Sequence, residues 1–179
     1  MDKSYKMTIA GVERELPICP LNEKLSIGAF VMFSDVELTV AASEELLKKC
    51  PDFDVILTAE SKGIPLAYEM ARQSGKSYVV ARKSVKLYMT APVEVTVKSI
   101  TTEAVQKLYI SQEKAELLKD RKVLLVDDVI STGESLKALE KLTEAVGGEI
   151  VGEAAVLAEG DAADRDDIIF LEKLPLFFN

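Results

Sequence analysis

The chain has 179 residues, 48% hydrophobic and 29% charged, the size and composition of one soluble globular domain with a substantial core. A net charge of −8 argues against a general nucleic-acid-binding surface, and the complete absence of histidine removes Ser-His and Cys-His dyads, histidine proton transfer and histidine metal ligands. Cys19 and Cys50 have no paired spacing, MDKSYKMTIAG has no apolar signal core, and no apolar run nears the ~20 residues of a membrane span, so the expectation is a cytoplasmic protein with free thiols, no membrane and no nucleic-acid partner.

Residues 5–18 alternate in part and turn at Ala10-Gly11, which predicts a short hairpin broken by Pro17, Cys19, Pro20 and Asn22. Residues 25–33 are apolar. Ser34-Asp35 then offers a cap for a helix over 36–49, ended by Pro51, with Val36, Val40, Leu46 and Leu47 expected to supply most of the buried stripe. From residue 53 strand and helix alternate: strands at 54–58, 77–81, 122–126, 149–158 and 167–171, with a helix from Pro65 to a stop at Gly75. That rhythm predicts an α/β fold with a mostly parallel, doubly wound sheet, undivided by repeat or linker, whose ligands bind outside the carboxyl ends of the strands.

Three strand ends carry unusual chemistry. After the first, Glu60-Ser61-Lys62-Gly63 offers a lysine and a glycine that lets backbone approach a ligand. After the second stands Arg82-Lys83, with Lys86 three residues on. Residues 71–93 hold five basic side chains and no acid in an otherwise acidic chain, an asymmetry that asks for an anion. Arg82 would grip it as a planar fork, Lys83 and Lys86 as point charges. Between 87 and 112 the rhythm lapses: Val93, Val95 and Val97 alternate with Glu94, Thr96 and Lys98, residues 99–102 turn, and 105–110 reads as a second strand.

The third strand end, Val123 to Ser135, reads VLLVDDVISTGES. Val123 to Val126 form an unalternating apolar run, a strand buried on both faces and expected to stop at Asp127 and Asp128. After Val129 and Ile130, the small residues Ser131, Thr132, Gly133, Glu134 and Ser135 lead into a helix with Leu136, Leu139, Leu142 and Val146 on one face. Such a loop aims unpaired N–H groups, hydroxyls and the positive end of a helix dipole at one spot, a seat for a phosphate monoester. Two carboxylates beside it would repel a second phosphate and suit a ribose, or a metal bridging to one. Together they describe a ribose 5-phosphate site. The alternative is a Rossmann-like or receiver-like strand end whose paired acids bind Mg²⁺; a receiver would carry that pair after its first strand.

At these residues the sequence resembles the type I phosphoribosyltransferases, whose signature is an apolar strand, two acids, two apolar residues and a Thr-Gly loop. The resemblance implies that Asp127 and Asp128 hold the ribose hydroxyls of phosphoribosyl pyrophosphate (PRPP) while Ser131 to Ser135 wrap its 5-phosphate. Glu60 to Gly63 resembles the pyrophosphate loop of adenine phosphoribosyltransferases, with the family's non-proline cis peptide placed at Glu60-Ser61. Arg82, Lys83 and Lys86 resemble an Arg-Lys-x-x-Lys element of the adenine and xanthine enzymes, and 87–112 resembles the flap that closes over PRPP, where Glu103 lies nearest to the catalytic glutamate of adenine enzymes. Phe33-Ser34-Asp35-Val36 resembles a Phe-x-Asp-Ile run whose phenylalanine stacks on the purine, with Ser34 departing from the usual basic residue. The base-binding candidates are Phe33 and Val129. By resemblance, residues 1–35 and the chain's end form a hood over a core at 53–172 within one domain of 1–179, Mg²⁺ arrives with PRPP and has no protein site of its own, and the protein is a homodimer. Glu159 is followed by Gly160 and not by the lysine of xanthine enzymes, whereas Ser99-Ile100-Thr101 looks more like those enzymes. The expected activity is transfer of the phosphoribosyl group of PRPP to a free purine, most like adenine, in purine salvage. The alternatives are a PRPP-binding regulator without turnover and a transferase for xanthine, orotate or another base.

Overall fold

Apolar periodicity of two along the N-terminal residues gives β1 (Ser4–Ile9) and β2 (Val12–Pro20), an antiparallel hairpin turning at Ala10-Gly11 with Ile9 paired to Val12. The computed structural model describes residues 4–98 and 105–178. β2 runs through both prolines that were expected to break it. Pro17 lies where pairing to β1 finishes, opposite Ser4, and its carbonyl accepts the Ala29 N–H at 2.8 Å, so its missing donor is not needed there. β3 (Leu25–Gly28) follows, and then α1 (Val36–Lys49), capped by Asp35, whose carboxylate accepts the Leu38 N–H.

The buried stripe of α1 keeps the expected Leu46, with Leu47 half-buried, and departs from the expected one at Val36 and Val40. Leu38, Ala42 and Leu46, four residues apart, face the core with Thr39 and Ser43, while Val36 and Val40 are exposed. Val36 and Val40 each stand two residues from Leu38, about 200° around the helix, and so point away from that row.

β4 (Val55–Ala59), α2 (Ile64–Ser74) and β5 (Ser77–Ala81) follow in βαβ order. β6 (Val93–Lys98) and β7 (Val105–Ile110) form the predicted two-stranded flap, registered from Val93–Ile110 to Lys98–Val105, and then come α3 (Gln112–Leu118), β8 (Lys122–Ile130), α4 (Glu134–Ala145) and β9 (Glu149–Glu159). A 3₁₀ turn at Gly160–Asp164 leads to β10 (Ile169–Leu174) and β11 (Leu176–Phe178). β10 starts later than predicted because Arg165 and Asp167 are engaged with each other.

The five core strands pair in parallel in the order β10-β9-β8-β4-β5. The chain goes from β4 to β5 on one side and to β8 on the other, so the order reverses between β4 and β8 and opens a crevice at their carboxyl ends. Alternating residues serve two cores. Ile56, Leu124 and Val126 pack with α1, α2 and the N-terminal strands, while Leu57, Val123 and Leu125 pack with α3, α4 and the flap. With both faces covered, the central strands read as continuous apolar runs. β11 pairs antiparallel with β3, placing Phe177 opposite Ser26, so the chain's end completes a four-stranded sheet with the N-terminal hairpin.

Candidate functional site

β8 does not stop at its acids. It stays paired with β9 through Asp127 opposite Ala155, Val129 opposite Leu157 and Ile130 opposite Ala158, so ladder hydrogen bonds fix the backbone of both carboxylates. Asp127 and Asp128 are only 8% and 5% exposed. Asp127 Oδ1 accepts the Asp128 N–H at 2.8 Å and, more distantly, the Ser61 hydroxyl at 3.4 Å. Among the described residues, Asp128 Oδ2 is buried with no hydrogen bond, and its nearest cation is Lys62 Nζ at 3.4 Å. Burial, and then the adjacent Asp128 carboxyl, push Asp127 up to about 7. A pair that is part-protonated near neutrality and leaves a carboxylate oxygen unpartnered is built to receive hydroxyl donors.

Gly63 brings the first strand end against this pair. A Cβ built on it would lie 3.0 Å from Asp127 Oδ1, 3.1 Å from Asp127 Cα and 3.2 Å from the Asp128 nitrogen. Only glycine lets the start of α2 pack so closely on β8. Lys62 also donates to the Phe30 carbonyl at 3.1 Å, tying the segment that leads to Phe33 to the acidic pair. Phe33 is 54% exposed and so is no part of the core, whereas Val129 is half-buried on β8. The peptides among the described residues are all trans, Glu60-Ser61 included, which corrects the expected cis bond. A trans bond avoids about 2.5–4 kcal/mol, and Ser61 still reaches Asp127.

The basic strand end is engaged with an acid of the same site. Glu60 accepts from Arg82 Nη2 at 3.0 Å and from the Lys83 backbone N–H at 2.9 Å, with Lys86 Nζ 4.0 Å away. The Arg82 guanidinium and the Lys83 N–H hold the Glu60 carboxyl below the usual carboxylate range. Arg82 also donates to the Tyr88 hydroxyl, and its backbone exchanges two 2.8 Å hydrogen bonds with Tyr109 of β7, rooting the flap at the end of β5. Between flap and strand ends lies a cavity of about 270 Å³, lined by Ser61, Lys83, Gln106, Lys107, Leu108 and Ser135 among others. Glu103, the candidate from the flap's turn, lies outside the described residues, as does the Ser99-Ile100-Thr101 run.

Ser131 and Thr132 are exposed, Gly133 takes φ 76° as the residue before α4, and the Glu134 N–H reaches the Thr132 hydroxyl at 3.5 Å. Leu136, Leu139 and Leu142 are buried, which fixes the direction of the helix, and Val146 is half-buried at its end. Ser135 turns to the cavity under the flap. One neighbour of this loop was missed in the sequence. Arg165 reaches Gly133 from beyond β9, but Asp164-Arg165-Asp166-Asp167 reads as a solvated charge run, and only the parallel pairing of β9 with β8 places it there.

A phosphoribosyl transferase domain model matches residues 34–175, which include the acidic pair, both loops and the basic strand end. The chain belongs to the type I phosphoribosyltransferase family. An adenine phosphoribosyltransferase of Rhodococcus jostii is 34% identical over 145 residues, 81% of this chain and 78% of that one. The adenine phosphoribosyltransferase of Thermotoga petrophila is 38% identical over 101 residues, 56% of each chain, so the match spans little more than half of that relative's length. The crystal structure of adenine phosphoribosyltransferase from Thermoanaerobacter pseudethanolicus shares the fold, with a TM-score of 0.66 at 21% identity over 96% of this chain and 95% of that one. A type I phosphoribosyltransferase fold thus carries the constellation, with its crevice between β4 and β8. No helix among the described residues is long and apolar enough to cross a membrane.

Proposed function

We propose that this phosphoribosyltransferase joins adenine to the anomeric carbon of PRPP, releasing pyrophosphate and giving the nucleoside monophosphate in purine salvage. The observation that carries the proposal is the contact of Gly63 with Asp127 and Asp128, which unites a polyol-binding acidic pair with a strand end that faces an anion site. Asp127 and Asp128 accept the ribose hydroxyls, and their negative charge stabilises the oxocarbenium-like sugar as the bond to pyrophosphate breaks and the bond to the base nitrogen forms. Ser131, Thr132, Gly133, Glu134 and Ser135 seat the 5-phosphate. Arg82, Lys83 and Lys86 take the pyrophosphate in exchange for Glu60, with Ser61, Lys62 and Gly63 at its other side. Mg²⁺ carried by PRPP would supply further positive charge at the pyrophosphate, beside Arg82, Lys83 and Lys86. The flap roofs the cavity and excludes water, carrying Glu103 as its acid-base candidate.

Adenine is favoured because the relatives above are adenine enzymes and because Glu159 is followed by Gly160. Phe33 stacks on the base beside Val129 under a hood made by β1, β2, β3 and β11, part of one phosphoribosyltransferase domain. A homodimer would cover the exposed Val85, Leu87 and Tyr88 beside the basic strand end. The free cysteines suit the reducing cytoplasm.

The test is pyrophosphate release with PRPP·Mg²⁺ and adenine, hypoxanthine, xanthine or orotate in turn, with PRPP binding measured separately by calorimetry. Turnover confined to adenine is expected. Turnover with another base would transfer the reading to that base, and tight PRPP binding without turnover on any of them would make the protein a PRPP sensor.

A further inference from the structure

Gly133 joins the small-residue loop to α4, and the space that a side chain would fill there belongs to Arg165. A Cβ on Gly133 would lie 3.3 Å from Arg165 Nη1. The other nitrogens of the guanidinium are engaged: Nε and Nη2 grip the two oxygens of Asp167 at 2.8 Å each, and Nη2 faces Glu153 Oε2 at 3.6 Å. Nη1 has no hydrogen-bond partner among the described residues. Glu153 is 9% exposed, its Oε2 has no hydrogen bond among the described residues, and Glu140 of α4 lies beside it. Arg165 therefore has the carboxyls of Asp167 and Glu153 on one side, with Glu140 beside Glu153, and Gly133 of the loop on the other.

A phosphate monoester carries nearly two negative charges at neutral pH, so carboxyls behind its seat oppose it unless they are neutralised. The fork to the exposed Asp167 contributes little to stability by itself, and neither it nor the approach of Nη2 to Glu153 uses the Nη1 that lies against Gly133. Resting on the transfer reading above, we infer that Arg165 is a positioning residue for the 5-phosphate of PRPP, bracing the loop at Gly133 and screening the bound phosphate from Glu153 and Asp167. Arg165 stands outside the loop, the acidic pair and the basic strand end, so it adds a fourth element to the site.

The test compares wild type, Arg165→Gln and Arg165→Lys for steady-state kinetics and for inhibition by ribose 5-phosphate and by pyrophosphate, with thermal midpoints as a control on folding. For Arg165→Gln, KM for PRPP and the inhibition constant for ribose 5-phosphate are expected to rise about tenfold or more, the loss falling on KM more than on kcat. Inhibition by pyrophosphate, which needs no 5-phosphate seat, is expected to stay within about twofold. Arg165→Lys restores part of the loss, because a point charge still screens but cannot fork. Equal weakening of both inhibitors, a loss confined to kcat, or identical behaviour of Gln and Lys would overturn the role. If Arg165→Gln does not fold, Arg165→Lys against wild type decides, with weakened ribose 5-phosphate and unchanged pyrophosphate inhibition expected. A wild type that binds neither PRPP nor ribose 5-phosphate would defeat the transfer reading itself, whereas normal turnover with ribose 5-phosphate inhibition untouched by either substitution would defeat only the role of Arg165.

Discussion

Gly63 packs on Asp127 so closely that a methyl group added to it would stand 3.0 Å from the carboxylate oxygen and 3.1 Å from Cα. The φ of Gly63 is −75°, which any residue tolerates, so the demand on this position is space alone. Gly63→Ala is expected to cost about 1–3 kcal/mol, because the ladder to β9 holds β8 at Asp127, opposite Ala155, and the buried carboxylate has little room to shift. It should also displace the acidic pair. Urea denaturation and turnover are the measurements, and an alanine variant with wild-type stability and activity would contradict the packing argument.

The raised carboxyl of Asp127 makes stability depend on pH in a defined direction. Its pKa is about 7 folded, against an ordinary carboxyl value of 3.8, so the folded state binds more protons between these values and loses stability as pH rises through them. Glu153, also pushed up to about 7, by burial and then by Glu140, acts in the same sense and is present in both proteins compared. Asp127→Asn is therefore expected to gain on wild type from pH ~4 to ~7, reaching at least about 1 kcal/mol near pH 8, while losing activity. Chemical denaturation across that range checks the sign.

Glu60 occupies the cations proposed to take the pyrophosphate, and removing its charge should help the anion. Glu60→Gln retains an acceptor for the Lys83 N–H and deletes the ion pair to Arg82. Pyrophosphate, as a product inhibitor, is expected to bind several-fold tighter, on the order of 1 kcal/mol for a half-exposed pair. Weaker inhibition would mean that Glu60 orients Arg82 for the anion instead of competing with it.

Phe33 is more than half exposed and Lys62 holds the carbonyl of Phe30, three residues before it. Phe33→Ala is expected to leave stability within about 0.5 kcal/mol, as for an exposed side chain, and to raise KM for the base roughly tenfold or more by removing a stacking face. Lys62→Met should raise KM for the base as well, since the segment loses its tie to the acidic pair. Unchanged base KM in both variants would remove Phe33 from the site.

The parts legible in the sequence are those whose chemistry is local. The run Val123 to Val126 names itself, because burial on two faces demands an apolar run, and the paired acids and small loop of the proposed phosphate seat adjoin it in the sequence. The Val36 and Val40 stripe misled because valine at helical spacing is apolar whether or not the sheet lies beneath it. The end of β8 misled because two charges read as a strand stop, although pairing to Ala155 and Leu157 carries the strand past them. Two long-range relationships had no sequence signal: Glu60 neutralising Arg82 across 22 residues and Arg165 meeting Gly133 across 32 exist only through parallel pairing of neighbouring strands.

Turnover of adenine with PRPP·Mg²⁺ by wild type and by Asp128→Asn tests the central claim most directly, because among the described residues Asp128 Oδ2 is buried with no hydrogen bond and has Lys62 as its nearest cation. Pyrophosphate and nucleoside monophosphate formation by wild type, falling roughly a hundredfold or more in a variant that still folds, is the predicted result. Equal rates in the two proteins, or no product with wild type while PRPP fails to bind, would contradict it.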